Sequence, residues 1–266
     1  MTLAARYPDL GPRVASAAVM IAVGALALWL GGVWFQLLAA AAVGAMSWET
    51  GRMPAGAEPA RAIALGLVAG LVVFFVSRHL AGAVALGAIA AAWAALTTAL
   101  GGRRAPFAAY FALILFAGHG LIVVRAEFGA AWLLWLIAVV VASDVAGYFA
   151  GRALGGPRLW PRVSPKKTWS GTIAGWVLAL GVGAAFMAPL SAGAGILALS
   201  VVICMAGQAG DIAESALKRH AGVKDSSALI PGHGGVMDRF DAMLGAALAF
   251  LILARTGALG PIVGGG

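Results

Sequence analysis

The chain has 266 residues, of which 62% are hydrophobic and 11% charged, and its mean hydropathy is +0.97. This composition excludes an ordinary soluble domain and is typical of a polytopic membrane protein. The net charge of +8 does not indicate a nucleic-acid-binding protein, because the arginines are scattered over short loops rather than gathered on one face.

Nine apolar segments approach the length of about 20 residues that a membrane-spanning helix needs. They cover residues 14–31, 33–49, 62–77, 80–100, 106–124, 131–150, 171–189, 193–213 and 241–258. We therefore expect an all-α membrane protein, a bundle of about nine transmembrane helices. We divide it into residues 1–130, the N-terminal helices, and residues 131–266, a catalytic region containing segments six to nine. The link at Gly31-Gly32 permits either a tight hairpin or one long broken segment.

The distribution of basic residues predicts the orientation of this bundle. With nine spans and a cytoplasmic N-terminus, only Arg78, Arg125 and Arg255 of the 18 lysines and arginines fall on the outer side. Cytoplasmic loops of membrane proteins carry an excess of Lys and Arg. The loops 151–170 and 214–240, which hold most of the remaining charge, are therefore expected in the cytoplasm.

The charged residues are concentrated in one part of the chain. All four lysines lie within 59 residues, and six of the ten acidic residues lie in the wider stretch from Asp144 to Asp241. A charge at the centre of a membrane helix costs about 2.5–3.5 kcal/mol even on the milder scale. Charges gathered in this way indicate a site, and their mixed signs indicate a metal ion and an anionic substrate.

Two charged segments border the sixth and seventh apolar segments. Asp144 follows a long apolar run, where it either pairs with a local arginine such as Arg152 or faces the bundle interior and holds a cation. The segment 161–171 is a proline-bounded loop that brings Lys166 and Lys167 to the beginning of a helix. Lysine and the free N–H groups of a helix N-terminus both attract phosphate, although a basic loop can also serve topology or contact anionic lipid.

The third segment begins at the end of the eighth apolar run, which we expect to continue as a helix beyond the hydrocarbon. Helical spacing places Asp211, Glu214, Ser215 and Lys218 on one face. The glycines beside His233 permit a tight turn that approaches a ligand. Carboxylates brought together from this helix and the ninth segment suit Mg²⁺, which prefers oxygen ligands. A network of salt bridges is the alternative.

The third segment also resembles the signature of the phosphatidate cytidylyltransferase family, the CDP-diacylglycerol synthases. That signature is S-x-x-K-R-x4-K-D-x5-P-x-H-G-G-x-x-D-R-x-D, and every fixed place is filled between Ser215 and Asp241. Ser143-Asp144 and Ser164-Pro165-Lys166-Lys167-Thr168 resemble other recurrent stretches of the family. Two residues depart from the family pattern. Val145 stands where Thr or Ser is common, and Ser170 stands where Glu is common.

The resemblance implies a nucleotidyltransferase of phospholipid biosynthesis, in the plasma (inner) membrane of a prokaryote, with its site on the cytoplasmic side. It joins CTP and phosphatidic acid into CDP-diacylglycerol and releases pyrophosphate. It also implies Mg²⁺ dependence and a homodimer that acts on membrane lipid. Whether a second cation assists Mg²⁺ stays open.

The residues suit this chemistry, because two anionic reactants must be neutralised. The expected catalytic residues are Asp211, Asp238, Lys167 and Asp144. The expected metal ligands are Asp211 and Asp238, with Asp144 and Asp241 in support. The expected substrate-binding residues are Ser164, Lys166, Lys167, Ser215, Lys218, Arg219, Lys224, His233, Gly234, Gly235 and Arg239. His233 either contacts phosphate or shapes the turn.

Two other functions remain possible at the level of the sequence. A lipid or polyprenol kinase would transfer the γ-phosphate of a nucleotide instead of the nucleotidyl group. An ion or anion transporter would need charges deep in several spans, whereas the first five apolar segments contain almost none.

Overall fold

The computed structural model describes residues 10–54, 57–98 and 105–263, which form a bundle of helices. Nine helices of at least 16 residues lie within these ranges. They are α1 Leu10–Leu30, α2 Gly32–Arg52, α3 Pro59–His79, α4 Gly82–Thr97, α5 Ala105–Val123, α6 Ala130–Leu154, α7 Trp169–Phe186, α8 Gly195–His220 and α9 Met237–Arg255. A short helix, α10, covers Gly260–Val263.

Each of the nine predicted segments coincides with one of these helices, which confirms the predicted fold class. Six of the helices described are long and apolar enough to cross a membrane: α1, α3, α5 with the turn that follows it, α6, α7 and α8. Helix α4 is shorter, and α9 carries Asp238, Arg239 and Asp241 at its beginning. The fourth predicted segment ends at residues 99–100, outside the described residues.

Helix α5 lies at the centre of the bundle. It contacts α2, α3, α4, α8 and α9, and 72% of its apolar stretch is buried. Helix α1 is the opposite case, since only 6% of its apolar stretch is buried. Its outward apolar side chains suit a hydrocarbon environment. Between α1 and α2 the chain breaks at Gly31 and Gly32, whose φ values of 63° and 48° suit glycine.

The segment 158–168 contains two short strands, although the sequence predicted a proline-bounded loop from residue 161 onwards. Strand β1, Arg158–Trp160, pairs antiparallel with β2, Ser164–Thr168. Ser164 precedes a proline and is therefore biased towards extended backbone. The strand pair ends where α7 begins, so it fixes Lys166 and Lys167 close to the start of that helix.

After α5 the helix widens into one π-helical turn, Val124–Phe128. Its Arg125 donates from Nε to the carbonyl oxygen of Leu28, near the end of α1, over 3.0 Å. Glu127 of the same turn forms two hydrogen bonds with Arg255 of α9, at 2.6 and 2.8 Å. The turn therefore connects three helices at the end of the bundle that the sequence predicts to be the outer one.

Candidate active site

Three carboxylates from two helices form a compact cluster. Asp211 and Glu214 lie one turn apart on α8, and Asp241 lies in the second turn of α9. One carboxylate oxygen from each residue lies within 4.8 Å of the others. Glu214 is fully buried, and its Oε1 has no hydrogen-bond partner among the described residues. A buried acceptor beside two further carboxylates is the environment that a divalent cation satisfies.

Glycines allow α8 and α9 to approach closely enough to form this cluster. A Cβ atom added at Gly210 would lie 2.5 Å from the carbonyl oxygen of Asp241, and one added at Gly245 would lie 2.1 Å from that of Ala206. Both distances are shorter than real Cβ contacts allow. Small residues at such crossings bring helix backbones together in membrane proteins. The cluster therefore depends on the two glycines.

Lys218 lies beside the cluster and connects it to Asp238. Its Nζ is 2.6 Å from Glu214 Oε2 and 2.7 Å from Asp238 Oδ1. A lysine between two carboxylates compensates part of the negative charge that gathers at this end of α8.

Asp238 is occupied by hydrogen bonds within its own loop. Its Oδ2 accepts from the backbone N–H of Ser226 at 3.0 Å, from the Ser226 hydroxyl at 2.8 Å and from the Gly235 N–H at 2.7 Å. Together with Lys218 this makes four donors for one carboxylate, so Asp238 closes the loop 221–236. Its expected role as a metal ligand stays a prediction, and Asp211, Glu214 and Asp241 form the cluster that the structure brings together.

A cavity of about 230 Å³ lies between α6, β2 and α8. Asp144, Lys166, Lys167 and Asp211 are among its lining residues. Lys167 forms an ion pair with Asp211, so the cavity and the acid cluster share one residue. Basic groups for phosphate and acidic groups for a cation thus meet at Asp211.

The alternative that Asp144 pairs with a neighbouring arginine finds no support in the contacts of the described residues. Arg152 donates instead to the hydroxyl of Tyr148, over 3.1 Å. Asp144 remains exposed towards the cavity.

The beginning of α7 is capped and packed closely against α6. Thr168 Oγ1 accepts a hydrogen bond from the Gly171 N–H at 3.2 Å. A Cβ at Gly171 would lie 2.6 Å from the carbonyl oxygen of Gly147, so a side chain there would separate the two helices. Ser170, which departs from the family pattern, donates to the carbonyl of Gly155. The cap and the glycine contact hold β2 and its lysines against the cavity.

The His233 turn is held by its own backbone and by α1. Gly232 and Gly234 have φ values of 74° and 82°, which side chains other than glycine rarely adopt. Ser16 lies 2.8 Å from His233 Nδ1 and donates to the carbonyl of Pro231 at 3.0 Å. These contacts give His233 a part in shaping the turn through its Nδ1, and a phosphate contact through its Nε2 stays a prediction.

The remaining candidates have mostly local contacts. Ser215 donates to Asp211 at 3.4 Å, and Arg239 donates to the carbonyl of His233 at 3.0 Å. Arg219 and Lys224 are exposed. Ser164 pairs with Trp160 across the two strands.

Two acidic residues of the candidate site and its surroundings escaped the sequence analysis in different ways. Glu214 was placed on the same face as Asp211 but was not predicted to bind metal; its spacing of three residues was the available signal. Glu49, near the end of α2, accepts hydrogen bonds from Ser227 at 2.6 Å, Val236 at 2.9 Å and Met237 at 2.7 Å. Its only sequence signal is an acid at the end of an apolar run.

Known proteins are similar to this chain over most of its length. The model of the cytidylyltransferase family matches residues 11–256. The phosphatidate cytidylyltransferase of Brucella suis biovar 1 (strain 1330) is 37% identical over 249 residues, covering 90% of this chain and 91% of that protein. The enzyme of the same name from Helicobacter pylori (strain ATCC 700392 / 26695) is 47% identical over 124 residues, 46% of each chain. That from Bacillus subtilis (strain 168) is 39% identical over 121 residues, 44% of this chain and 45% of its own. The chain therefore belongs to the cytidylyltransferase family of nucleotidyl-transferring enzymes.

Proposed function

We propose that this membrane protein is a phosphatidate cytidylyltransferase, which converts CTP and phosphatidate into CDP-diacylglycerol and pyrophosphate. The observation that carries the proposal is the meeting of acidic and basic groups at Asp211, which belongs to the acid cluster and also pairs with Lys167. Relatives named for this activity match nearly the whole chain. Both substrates are anionic, and such a site can neutralise them.

The acid cluster fits Mg²⁺. Asp211, Glu214 and Asp241 supply oxygen atoms at close range, and the buried Glu214 Oε1 has no hydrogen-bond partner in the described part of the chain. Carboxylate oxygens are preferred Mg²⁺ ligands, and the ion commonly shares substrate phosphates. Bound there, it would withdraw charge from the phosphate oxygens and stabilise the pyrophosphate leaving group. Asp144 remains a supporting ligand in the proposal, and a second cation is left open.

The residues of the chain supply the positioning. A phosphate oxygen of phosphatidate forms the new bond to the α-phosphorus of CTP, while the bond from that phosphorus to the bridging oxygen of pyrophosphate breaks. Lys167 and Lys166 line the cavity and hold phosphate groups by charge and hydrogen bonding. Lys218 keeps Glu214 and Asp238 in place. No activated serine or cysteine is needed, because the attacking phosphate is already an anion.

The proposal places the site at the cytoplasmic face of the inner membrane. The support is the uneven distribution of lysine and arginine, which leaves only Arg78, Arg125 and Arg255 on the outer side of the predicted topology. The three clustered acids, Lys166, Lys167 and Lys218 all lie within residues 131–266, the proposed catalytic region. We also propose a homodimer, which cross-linking in native membranes tests.

Labelled CTP separates the proposed function from its alternatives. Purified protein in detergent with phosphatidate and Mg²⁺ should transfer the label of α-³²P-CTP to lipid and release the label of γ-³²P-CTP as pyrophosphate. A chelator should stop the reaction, and added Mg²⁺ should restore it. Transfer of the γ-label to lipid would indicate a kinase. Absence of any lipid product with every divalent cation would reject the enzyme assignment.

A further inference from the structure

Glu49 connects the N-terminal helices to the loop that carries the His233 turn. It lies near the end of α2 and is fully buried. Its Oε1 accepts from the Ser227 hydroxyl at 2.6 Å and from the Val236 N–H at 2.9 Å, and its Oε2 accepts from the Met237 N–H at 2.7 Å. A buried charge with three donors is energetically different from the exposed Glu58, which pairs with Arg61 on the surface.

The carboxylate of Glu49 caps α9 from a different helix. The first N–H groups of a helix have no partner within it, and no side chain within the loop caps α9. A negative charge at a helix N-terminus is also favoured by the helix dipole. Glu49 supplies both the acceptors and the charge.

Gly235 makes this approach possible. A Cβ atom at that position would lie 2.3 Å from Glu49 Oε1 and 1.9 Å from the Ser226 hydroxyl. These distances show that residue 235 must be a glycine for the loop to close around Glu49. The expected contact of Gly235 with substrate stays a prediction.

Glu49 and Asp238 hold the same loop from two sides. Glu49 binds Ser227 and the backbone at 236–237, while Asp238 binds Ser226 and the backbone of Gly235. The other oxygen of Asp238 contacts Lys218, which contacts Glu214. Hydrogen bonds and ion pairs therefore lead from α2 to the acid cluster, joined through the backbone at residues 226–227 and 235–238.

We propose that Glu49 is a positioning residue for nucleotidyl transfer. It fixes the first turn of α9, and thereby places Asp238 and Asp241 relative to Glu214 on α8. The inference rests on the proposed function, because it assigns Glu49 to that same site. Among the described residues, the carboxylate of Glu49 accepts hydrogen bonds from Ser227, Val236 and Met237. Its effect on the acid cluster therefore passes through the loop 221–236 and the start of α9.

The test compares Glu49→Gln with the control Glu58→Gln. Glutamine keeps the shape but loses the charge and one acceptor, so it cannot accept all three hydrogen bonds. We expect kcat to fall by about tenfold to a hundredfold, the range found when groups that orient metal ligands are removed. The Mg²⁺ concentration for half-maximal activity should rise as well. The control should retain wild-type kinetics, because its ion pair is exposed.

A second measurement does not depend on turnover. Hydrogen–deuterium exchange at the amides of residues 235–238 should accelerate in Glu49→Gln and stay unchanged in Glu58→Gln. If wild-type protein transfers no cytidylyl group, the proposed function fails, but the exchange experiment still reports whether Glu49 holds the loop. Faster exchange with an unchanged kcat would mean that Glu49 has only a structural role and would overturn the proposal.

Ser227→Ala provides the test if Glu49→Gln does not fold. It removes one of the three donors to Glu49 and leaves the buried charge with two. We expect a smaller fall in kcat of the same kind, with faster exchange at the same amides. Where both variants fold, the double variant Glu49→Gln/Ser227→Ala should be compared with them. Its fold-loss in kcat should be smaller than the product of the two single fold-losses, because the two residues share one contact. Wild-type kcat in Ser227→Ala, or fully multiplicative losses, would contradict positioning through this loop.

Discussion

Gly245→Ala tests whether the close approach of α8 and α9 creates the acid cluster. The added methyl group would lie 2.1 Å from the carbonyl oxygen of Ala206, and ordinary van der Waals contact begins near 3.4 Å. The two helices must therefore separate or slide by about 1.3 Å at this crossing. Asp241 lies one turn before Gly245 on α9, so the shift moves its carboxylate away from Asp211 and Glu214.

The expected loss of activity is larger than the expected loss of stability. Alanine favours a helix over glycine by about 1 kcal/mol, which offsets part of the 1–3 kcal/mol that overpacking typically costs, so the net destabilisation is about 2 kcal/mol at most. A misplacement of about 1 Å at a reacting site can cost about a hundredfold in rate. We therefore expect kcat/KM to fall about a hundredfold while the protein stays folded.

The assay measures cytidylyl transfer and the melting temperature of purified protein in detergent. Gly181→Ala is the matched control, because a Cβ atom at that helical glycine would meet no atom within 4 Å. It should leave both quantities unchanged. If Gly245→Ala retained activity within twofold of the wild type, the contact between α8 and α9 would not be what places the carboxylates.

Three further predictions concern the same site. Asp211→Asn should abolish turnover at unchanged melting temperature, measured side by side, because the amide keeps the shape but removes a charge from the cluster; a melting loss with normal activity per folded molecule would contradict this. Asp238→Asn should lower both turnover and the melting temperature, since its carboxylate accepts four hydrogen bonds. An unchanged melting temperature would disprove the loop-closing role. A cysteine placed at Ala228 should react with an impermeant reagent only from the cytoplasmic side, and labelling only from outside would reverse the topology.

The fold could be predicted from the sequence because each helix is encoded locally. Apolar runs of about 20 residues give spans without knowledge of their neighbours, and α8 continues to His220 as its polar end predicted. The two strands at 158–168 could not be predicted in the same way. They are only three and five residues long, too short for a clear alternation of polar and apolar side chains.

The candidate site could be predicted only in part, because its geometry depends on contacts between distant segments. The motif from Ser215 to Asp241 contains one of the three clustered acids, Asp241. The other two, Asp211 and Glu214, lie just before the motif and are related by helical spacing. Spacing does not reveal which acid of α9 joins the acid cluster: Asp241 does, whereas Asp238 contacts the loop and Lys218. The contact between Glu49 and Met237 joins residues 188 positions apart, and no local pattern encodes it.

The π-helical turn at Val124–Phe128 has a consequence for the order of biosynthesis. Arg125 binds the end of α1, and Glu127 binds Arg255 at the end of α9. Translation delivers α1 first among the described helices and α9 last among the nine long ones. The partner of Arg125, Leu28 in α1, is therefore synthesised before the turn itself. The partner of Glu127, Arg255, is synthesised only after more than a hundred further residues. Closure of this end of the bundle is thus a late event, and the ion pair between Glu127 and Arg255 forms only in a chain whose ninth long helix has already been synthesised.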